Sequence, residues 1–467
     1  MRDNSVKKLN RMRVKLLAAV LNVLNKKTPA SRQEMLQLRE KKLRRLLRYA
    51  YAHSPYYRES FSKAGITEQN IDTMPLTAFP TIDKTAFMDH YEEILTVQPF
   101  SQKELRQFDE SGESGLFRNQ YHVVHSSGST GTPKYFVYNK REWIQVQSRN
   151  VQSAAFGMSR EQVVDACEGL RVLYIAAIGG RFGGVMVVSY IAKLFGTQLR
   201  VLDVNEPLSA WSAILRTYRP NMIVGYATAL KMLADLMNSD GITLDVRRVA
   251  SCGESLTPDV RAYLERTFRQ NVINCYSATE SLALGVEPDA REGMLLYDDL
   301  NYLEFADGQV FLTNLYNYSQ PLIRYAISDR MRLADNCGTY SAYTHVVLMH
   351  GRLDDILWFT DPIGKKEFLH PTILEDFSFP GLKDYQFRQI SNNRFEVLVE
   401  TQEDADTAGV CALLRHAIDD VLAKNQLSFL SYRLITDEPI LADPVTGKKR
   451  LTIQAGSRSD ADTNIDT

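Results

Sequence analysis

Between residues 171 and 268, apolar β-rich runs alternate with stretches of helical spacing. Arg171–Ile178 reads as a strand, Val185–Phe195 as a helix and Leu199–Asp203 as a strand. Trp211–Tyr218 follows as a helix and Met222–Gly225 as a short buried strand. Arg248–Cys252 is another strand, before a helix over about Pro258–Phe268. Such alternation restricts the chain to an α/β fold, because parallel neighbours need a crossover and a helix supplies it. The spacing predicts a large, multi-layer N-terminal domain with mostly parallel sheets.

At 467 residues the chain exceeds what one core organises, so two or more domains are expected. Its character changes after Gly351. Charged surface segments, an apolar strand at Phe395–Glu400 and a helix at about Asp404–Lys424 predict a small α+β domain over 354–467, with 1–353 as the large one. The last dozen residues, rich in Ser, Asp and Thr, read as a disordered tail. Nearer the start, residues 32–64 read as helix broken by a Pro-aromatic turn at His53-Ser54-Pro55-Tyr56-Tyr57-Arg58.

Chemistry concentrates in Ser126-Ser127-Gly128-Ser129-Thr130-Gly131-Thr132-Pro133-Lys134. Glycines let successive backbone N–H groups turn toward one point, hydroxyls add donors, and the lysine adds a mobile charge. That suits a polyphosphate; a plain Ser/Gly-rich turn is the alternative. The spacing is not that of a Walker loop, because Gly128 and Gly131 are too close and Tyr135 follows the lysine. The run instead resembles the phosphate loop of the adenylate-forming superfamily, [ST]-[ST]-G-[ST]-T-G-x-P-K. Members join a carboxylic acid to AMP and then pass the acyl group to an acceptor.

Further segments carry the same resemblance in order. Cys252-Gly253-Glu254 precedes Cys275-Tyr276-Ser277-Ala278-Thr279-Glu280. Tyr276 offers a stacking face and Glu280 a hard oxygen ligand; a strand end with a surface glutamate is the alternative. The resemblance implies that Tyr276 packs on adenine, Thr279 contacts the α-phosphate and Glu280 binds Mg²⁺, with Gly253, Glu254 and Ser277 beside the nucleotide. Ser277 stands where the superfamily usually has glycine. Pro321-Leu322-Ile323-Arg324-Tyr325-Ala326-Ile327-Ser328-Asp329 places Asp329 at the ribose position, since a carboxylate accepts from a vicinal diol. Here Ile327-Ser328 replaces Thr-Gly, and an Asp–Arg surface pair is the alternative.

Gly351-Arg352-Leu353-Asp354-Asp355 matches the superfamily's hinge, with Asp354 as pivot and Arg352 reaching the nucleotide. Gly447-Lys448-Lys449-Arg450 resembles its terminal Gly-Lys signature. The resemblance assigns the adenylation lysine to Lys448, with Lys449 as the alternative. The Ser54-Pro55-Tyr56-Tyr57-Arg58 run and the Pro80 to Lys84 segment resemble the phenylacetate–CoA ligase and capsule-biosynthesis-like branch. A small mobile lid domain, ATP, Mg²⁺ and coenzyme A as co-substrate are the implied consequences. Lys134, Glu280 and Lys448 are the expected catalytic groups. Tyr226 and Gly180 are expected in the acid pocket, and Tyr and Gly content suggests a flat aryl acid.

Charge is uneven. Residues 1–48 carry fifteen Lys/Arg against three acids, so the segment is +12 in a chain of net charge −1. Solvated surface helices are the expectation; docking of an acidic carrier protein through Arg44 and Arg45 is the alternative. No recognised nucleic-acid module is present. Leu16, Leu17, Val20, Leu21 and Leu24 recur at helical spacing, too short a run to span a membrane. The five cysteines, Cys167, Cys252, Cys275, Cys337 and Cys411, are scattered, which argues against a disulfide framework or a zinc site. A reducing cytoplasm and a possible homodimer complete the expectations. A nucleotide binder without turnover is the competing class.

Overall fold

A computed structural model describes residues 29–440 and 451–453, apart from 114, 127–132, 160, 164–168, 179, 255, 290–292, 307–308, 328, 330, 335–339, 349–356, 370–373, 375–376 and 378. The chain packs as two compact units. One holds 1–126, 134–202 and 214–351; the other holds 127–133, 203–213 and 352–467.

The helices in chain order are α1 (Arg32–His53), α2 (Pro55–Lys63), α3 (Lys84–Asp89), α4 (Tyr91–Ile94), α5 (Gln102–Glu110), α6 (Lys140–Ala154), α7 (Gly183–Phe195), α8 (Leu208–Tyr218), α9 (Ala227–Ser239), α10 (Pro258–Phe268) and α11 (Thr407–Lys424). The expected break between α1 and α2 is present. Ser54 accepts from the Tyr57 backbone as N-cap of α2, and Pro55 takes the first turn, where its missing N–H costs nothing.

In the first unit, β1 (Tyr121–His125) and β2 (Tyr135–Asn139) form an antiparallel ribbon. The central sheet uses β3 (Arg171–Ala176), β4 (Gln198–Asp203), β5 (Met222–Gly225), β6 (Arg248–Cys252), β7 (Val272–Ala278), β8 (Ser281–Glu287) and β9 (Met294–Leu296). A three-stranded sheet follows: β10 (Asn301–Ala306), β11 (Gln309–Asn314) and β12 (Tyr325–Ile327). Two further strands, β13 (Met331–Leu333) and β14 (Thr344–Leu348), complete the central sheet in the order β13-β14-β9-β8-β7-β6-β5-β3-β4.

Pairing is parallel from β3 through β5 and β6 to β7. It is antiparallel from β7 through β8, β9 and β14 to β13. The sheet is therefore mixed. The switch has a local cause: only Thr279 and Glu280 separate β7 from β8, and so short a link can join only antiparallel neighbours. That hairpin puts both residues at the C-terminal edge of the parallel strands, where open α/β sheets bind ligands.

The basic segment is partly internal. Arg32 and Arg39 of α1 each bond a carboxylate oxygen of Asp298 at 2.8 Å, and that side chain is only 4% exposed. Lys42 donates to the Asp299 carbonyl, while Arg149 of α6 pairs with the Asp299 carboxylate. Arg44 is held by Glu40 and by the carbonyls of Ile71 and Met74. It is thus committed to the fold rather than presented for docking.

On β1, His122 lies flat against Trp143 of α6, with ring centroids 4.3 Å apart and planes 8° from parallel. Burial, then the charges of Arg181 and Lys140, lowers its pKa from 6.5 to about 4. A folded-state pKa below the unfolded one means the unfolded chain takes the proton first as pH falls. Stability contributed by neutral His122 is therefore lost between pH 6.5 and about 4. Melting temperatures at pH 7 and 5 should differ less in His122→Phe than in the parent; equal differences would remove His122 from the account.

The second unit has β15 (Leu357–Thr360) paired with β16 (Lys366–Leu369). Its four-stranded sheet orders β19 (Ser431–Ile435), β18 (Arg394–Thr401), β17 (Leu382–Ser391) and β20 (Thr452–Ile453). Leu414, Ile418 and Leu422 of α11 share a core with Phe387, Phe395 and Val397. Glu396, buried on β18, is matched by Arg388 and Arg433. The expected strand at 395–400 and helix to 424 are both present.

Candidate active site

The first unit brings residues from four distant segments together. Ser126 and Lys134 close the base of the glycine-serine loop: the Ser126 N–H donates to the Lys134 carbonyl (3.0 Å), and the Lys134 N–H donates to the Ser126 hydroxyl (3.1 Å). Within the loop, Ser127, Gly128, Ser129, Thr130 and Gly131 lie outside the described residues. His125 anchors the loop's start. Its Nδ1 is 3.0 Å from the Ser126 carbonyl, and the Arg181 N–H donates to its Nε2 (2.9 Å).

Lys134 is the node of the site. Its Nζ donates to Glu280 Oε1 (2.5 Å) and to the Tyr325 hydroxyl (3.1 Å). Both partners of the ion pair are largely buried, at 15% and 12% side-chain exposure. Burial works against the ammonium, but Glu280 and Tyr325 outweigh it and raise the Lys134 pKa above 10.5. The Glu280 backbone is fixed by Asn314, whose Nδ2 donates to its carbonyl (3.1 Å), and the Tyr138 hydroxyl donates to the Thr279 carbonyl (3.3 Å).

Beside this pair, the Tyr276 hydroxyl donates to Asp329 Oδ2 (3.0 Å). Burial, followed by the charges of Asp329 and Glu280, raises the Tyr276 phenol well above its usual range. The two polar pairs therefore share one electrostatic environment. Ser277 is exposed next to them.

Lys84, which the motif reading left unassigned, lies close enough to feel the charges of Lys134 and Glu280. Asp83 accepts from the Ala86 N–H as N-cap of α3, making Lys84 the first helical residue. Its ammonium is lowered by burial and by Lys134, against the pull of Glu280. The only signal in the sequence was its place in the Pro80 to Lys84 segment.

Four expected binding residues have structural neighbours of their own. Glu254 accepts from both the backbone N–H (3.0 Å) and the hydroxyl (2.6 Å) of Thr228, in the first turn of α9. Gly253 has φ +77°, and a Cβ there would fall 2.8 Å from the Tyr226 ring. Tyr226 is thus held against Gly253. Gly180 has φ +69°, and a Cβ would lie 2.6 Å from His125 Nε2. Its smallness lets the backbone approach the anchor of the loop. Arg352, Asp354 and Lys448 lie outside the described residues.

A charged node of one lysine, one carboxylate and one phenol, with the lysine ending a sequence run rich in hydroxyls and glycine, is equipped to hold a charged phosphate ester. An aromatic ring and a second carboxylate beside it suit a nucleoside.

Comparison with known proteins agrees. A family model described as AMP-binding enzyme matches residues 82–296. The chain is 23% identical over 428 residues to phenylacetate-coenzyme A ligase of Escherichia coli, covering 84% of this chain and 90% of that one. It is 25% identical to the enzyme of the same name from Thermus thermophilus, covering 70% and 72%. Among solved structures, 2-hydroxyisobutyryl-CoA ligase superposes with a TM-score of 0.58 at 20% identity, over 92% of this chain and 94% of that chain.

Proposed function

The chain belongs to the adenylate-forming superfamily, related to the phenylacetate-coenzyme A ligases, and from that premise we propose that it activates a carboxylic acid with ATP and passes the acyl group to the thiol of coenzyme A. The observation that carries this reading is the Lys134–Glu280–Tyr325 node at the base of the loop, with Tyr276–Asp329 alongside.

In this reading the loop cradles the phosphates, and Lys134 turns from Glu280 toward them as charge develops in the transition state. The acid's carboxylate oxygen attacks the α-phosphorus and the bond to pyrophosphate breaks. Catalysis is positioning and charge neutralisation. Tyr276 packs on adenine and Asp329 accepts from the ribose hydroxyls. Lys84 adds a second positive charge near the pair, suited to the charge of the leaving pyrophosphate. Glu280 is the residue that would hold Mg²⁺, an ion that commonly takes one or two carboxylates with substrate phosphates. Among the described residues no group of three or more His, Cys, Asp and Glu gathers. When bound, the ion neutralises phosphate charge.

The second half-reaction transfers the acyl group from AMP to the thiol, with AMP as leaving group. Lys448 as adenylation lysine, Asp354 as pivot and a division near residue 353 belong to this proposal through the motif resemblance. A carrier-protein thiol is the alternative acceptor.

The test is pyrophosphate release with Mg·ATP across aryl, hydroxyaryl, amino and fatty acids, with and without coenzyme A. Release should depend on one acid class, and a thioester should form only when coenzyme A is present. Release independent of any acid, or none with ATP bound, would overturn the reading.

A further inference from the structure

His125 ends β1 at the point where the glycine-serine run begins. Its side chain is 9% exposed and joins segments that are far apart in the chain. Nδ1 lies 3.0 Å from the Ser126 carbonyl oxygen, and Nε2 lies 2.9 Å from the Arg181 nitrogen. These partners assign the tautomer. A carbonyl only accepts and a backbone N–H only donates, so Nδ1 carries the proton and Nε2 is the acceptor. In the neutral ring both nitrogens are thereby occupied.

The surroundings hold the ring in that pose. The His125 backbone N–H donates to the Arg181 carbonyl (3.1 Å), which makes the contact between the two segments reciprocal. Phe182 packs on the ring, with centroids 4.5 Å apart. Gly180 leaves the room that a side chain would take from Nε2. Asp109 is turned to another donor. Its Oδ2 accepts from the Tyr135 hydroxyl (3.3 Å) and stands 3.4 Å from Nε2, farther than the Arg181 N–H.

The two ring bonds serve different ends. The bond to Arg181 joins β1 to the segment that opens α7, and is internal to the fold. The bond to Ser126 completes an anchor. Lys134 already holds the Ser126 N–H and hydroxyl, and His125 holds its carbonyl. A peptide is planar, with C=O and N–H opposed, so an anchored carbonyl fixes the direction of the chain that follows it.

We infer that His125 is a positioning residue of the phosphate site, acting through Ser126, and that polyphosphate binding depends on its Nδ1 bond rather than on its Nε2 bond. The inference rests on the adenylation reading, which supplies the ligand. The part of His125 is to set how the run leaves β1, not to contact the nucleotide.

Calorimetry in the presence of Mg²⁺, with ligands that need no turnover, separates the two bonds. α,β-Methylene-ATP carries the outer phosphates and AMP lacks them. His125→Ala should bind the ATP analogue about tenfold more weakly, and AMP within about twofold of the parent. Asparagine places its amide nitrogen near the position of Nδ1, and glutamine places its amide near that of Nε2. His125→Asn should therefore recover most of the analogue's affinity, and His125→Gln should not, even where its melting temperature is the higher. A loss shared equally by AMP, no loss, a loss that asparagine fails to restore, or one that glutamine restores as well, would overturn the inference. Should the alanine variant not fold, the comparison of asparagine with glutamine decides alone. A parent that binds the analogue but releases pyrophosphate with no acid would sink the adenylation reading and leave the role of His125 standing. Release by the parent, with analogue affinity unchanged in every variant, would do the reverse.

Discussion

Replacing Glu280 with glutamine should cut acid-dependent pyrophosphate release about a thousandfold, the upper range for losing one preorganised electrostatic group. Two effects combine. The carboxylate that would hold the nucleotide's metal ion is gone, and so is the charge that keeps Lys134 protonated. The parent Lys134 pKa stands above 10.5 because Glu280 and Tyr325 outweigh burial. Without Glu280, burial acts against a weaker opposition and the pKa falls. A raised lysine pKa contributes stability that is present below pH 10.5 and lost as pH rises through the folded value. The variant should lose that contribution, and the alkaline limb of its residual activity should move to lower pH. Unchanged release, or a limb that stays put, would remove the pair from the mechanism.

This prediction joins residues that the sequence names but does not pair. Lys134 and Glu280 are 146 positions apart, and their motifs were legible one by one because glycine spacing and residue type survive in a short string. Their ion pair is tertiary and leaves no local trace. Glu254 shows the same limit: it reads as a nucleotide contact, yet its carboxylate accepts two bonds from Thr228 on a helix the pattern did not mark. That helix, α9, buries Leu230, Leu233, Ala234 and Met237, with Ala227, Thr228 and Ala229 buried as well. Its exposed residues, Lys231, Asp235, Asn238 and Ser239, fall on one face, so this helix is amphipathic and its spacing was there to be read.

The parallel strands β5 and β6 and helix α10 stand where the spacing put them, because crossovers separate apolar runs clearly. The antiparallel strands were harder to see. In β8, six successive residues from Ser281 to Val286 are buried, and β9 is buried throughout. Strands covered on both faces lose the period of two. The mostly parallel sheet became a mixed one for that reason.

Asp298→Ala should carry the largest stability loss, about 3–5 kcal/mol, because it strips the buried partner from two cations. Asp298 accepts from Arg32 and Arg39 at 2.8 Å each and from the Thr344 N–H (2.7 Å) and hydroxyl (2.8 Å). One side chain thereby ties α1 to the turn after β9 and to β14. The charge excess of the N-terminal segment reads as solvated surface helices, with docking of an acidic partner as the alternative. The structure uses part of it to pin a helix through a fully matched carboxylate. Two packed units make a single unfolding free energy ill-defined, so the quantity to follow is the urea midpoint of the first unit's transition. Arg39→Met should cost less in the Asp298→Ala background than in the parent, with a coupling of about 1 kcal/mol or more. Additive losses would show that Arg39 and Asp298 act separately, and would return that arginine to the pool available for docking.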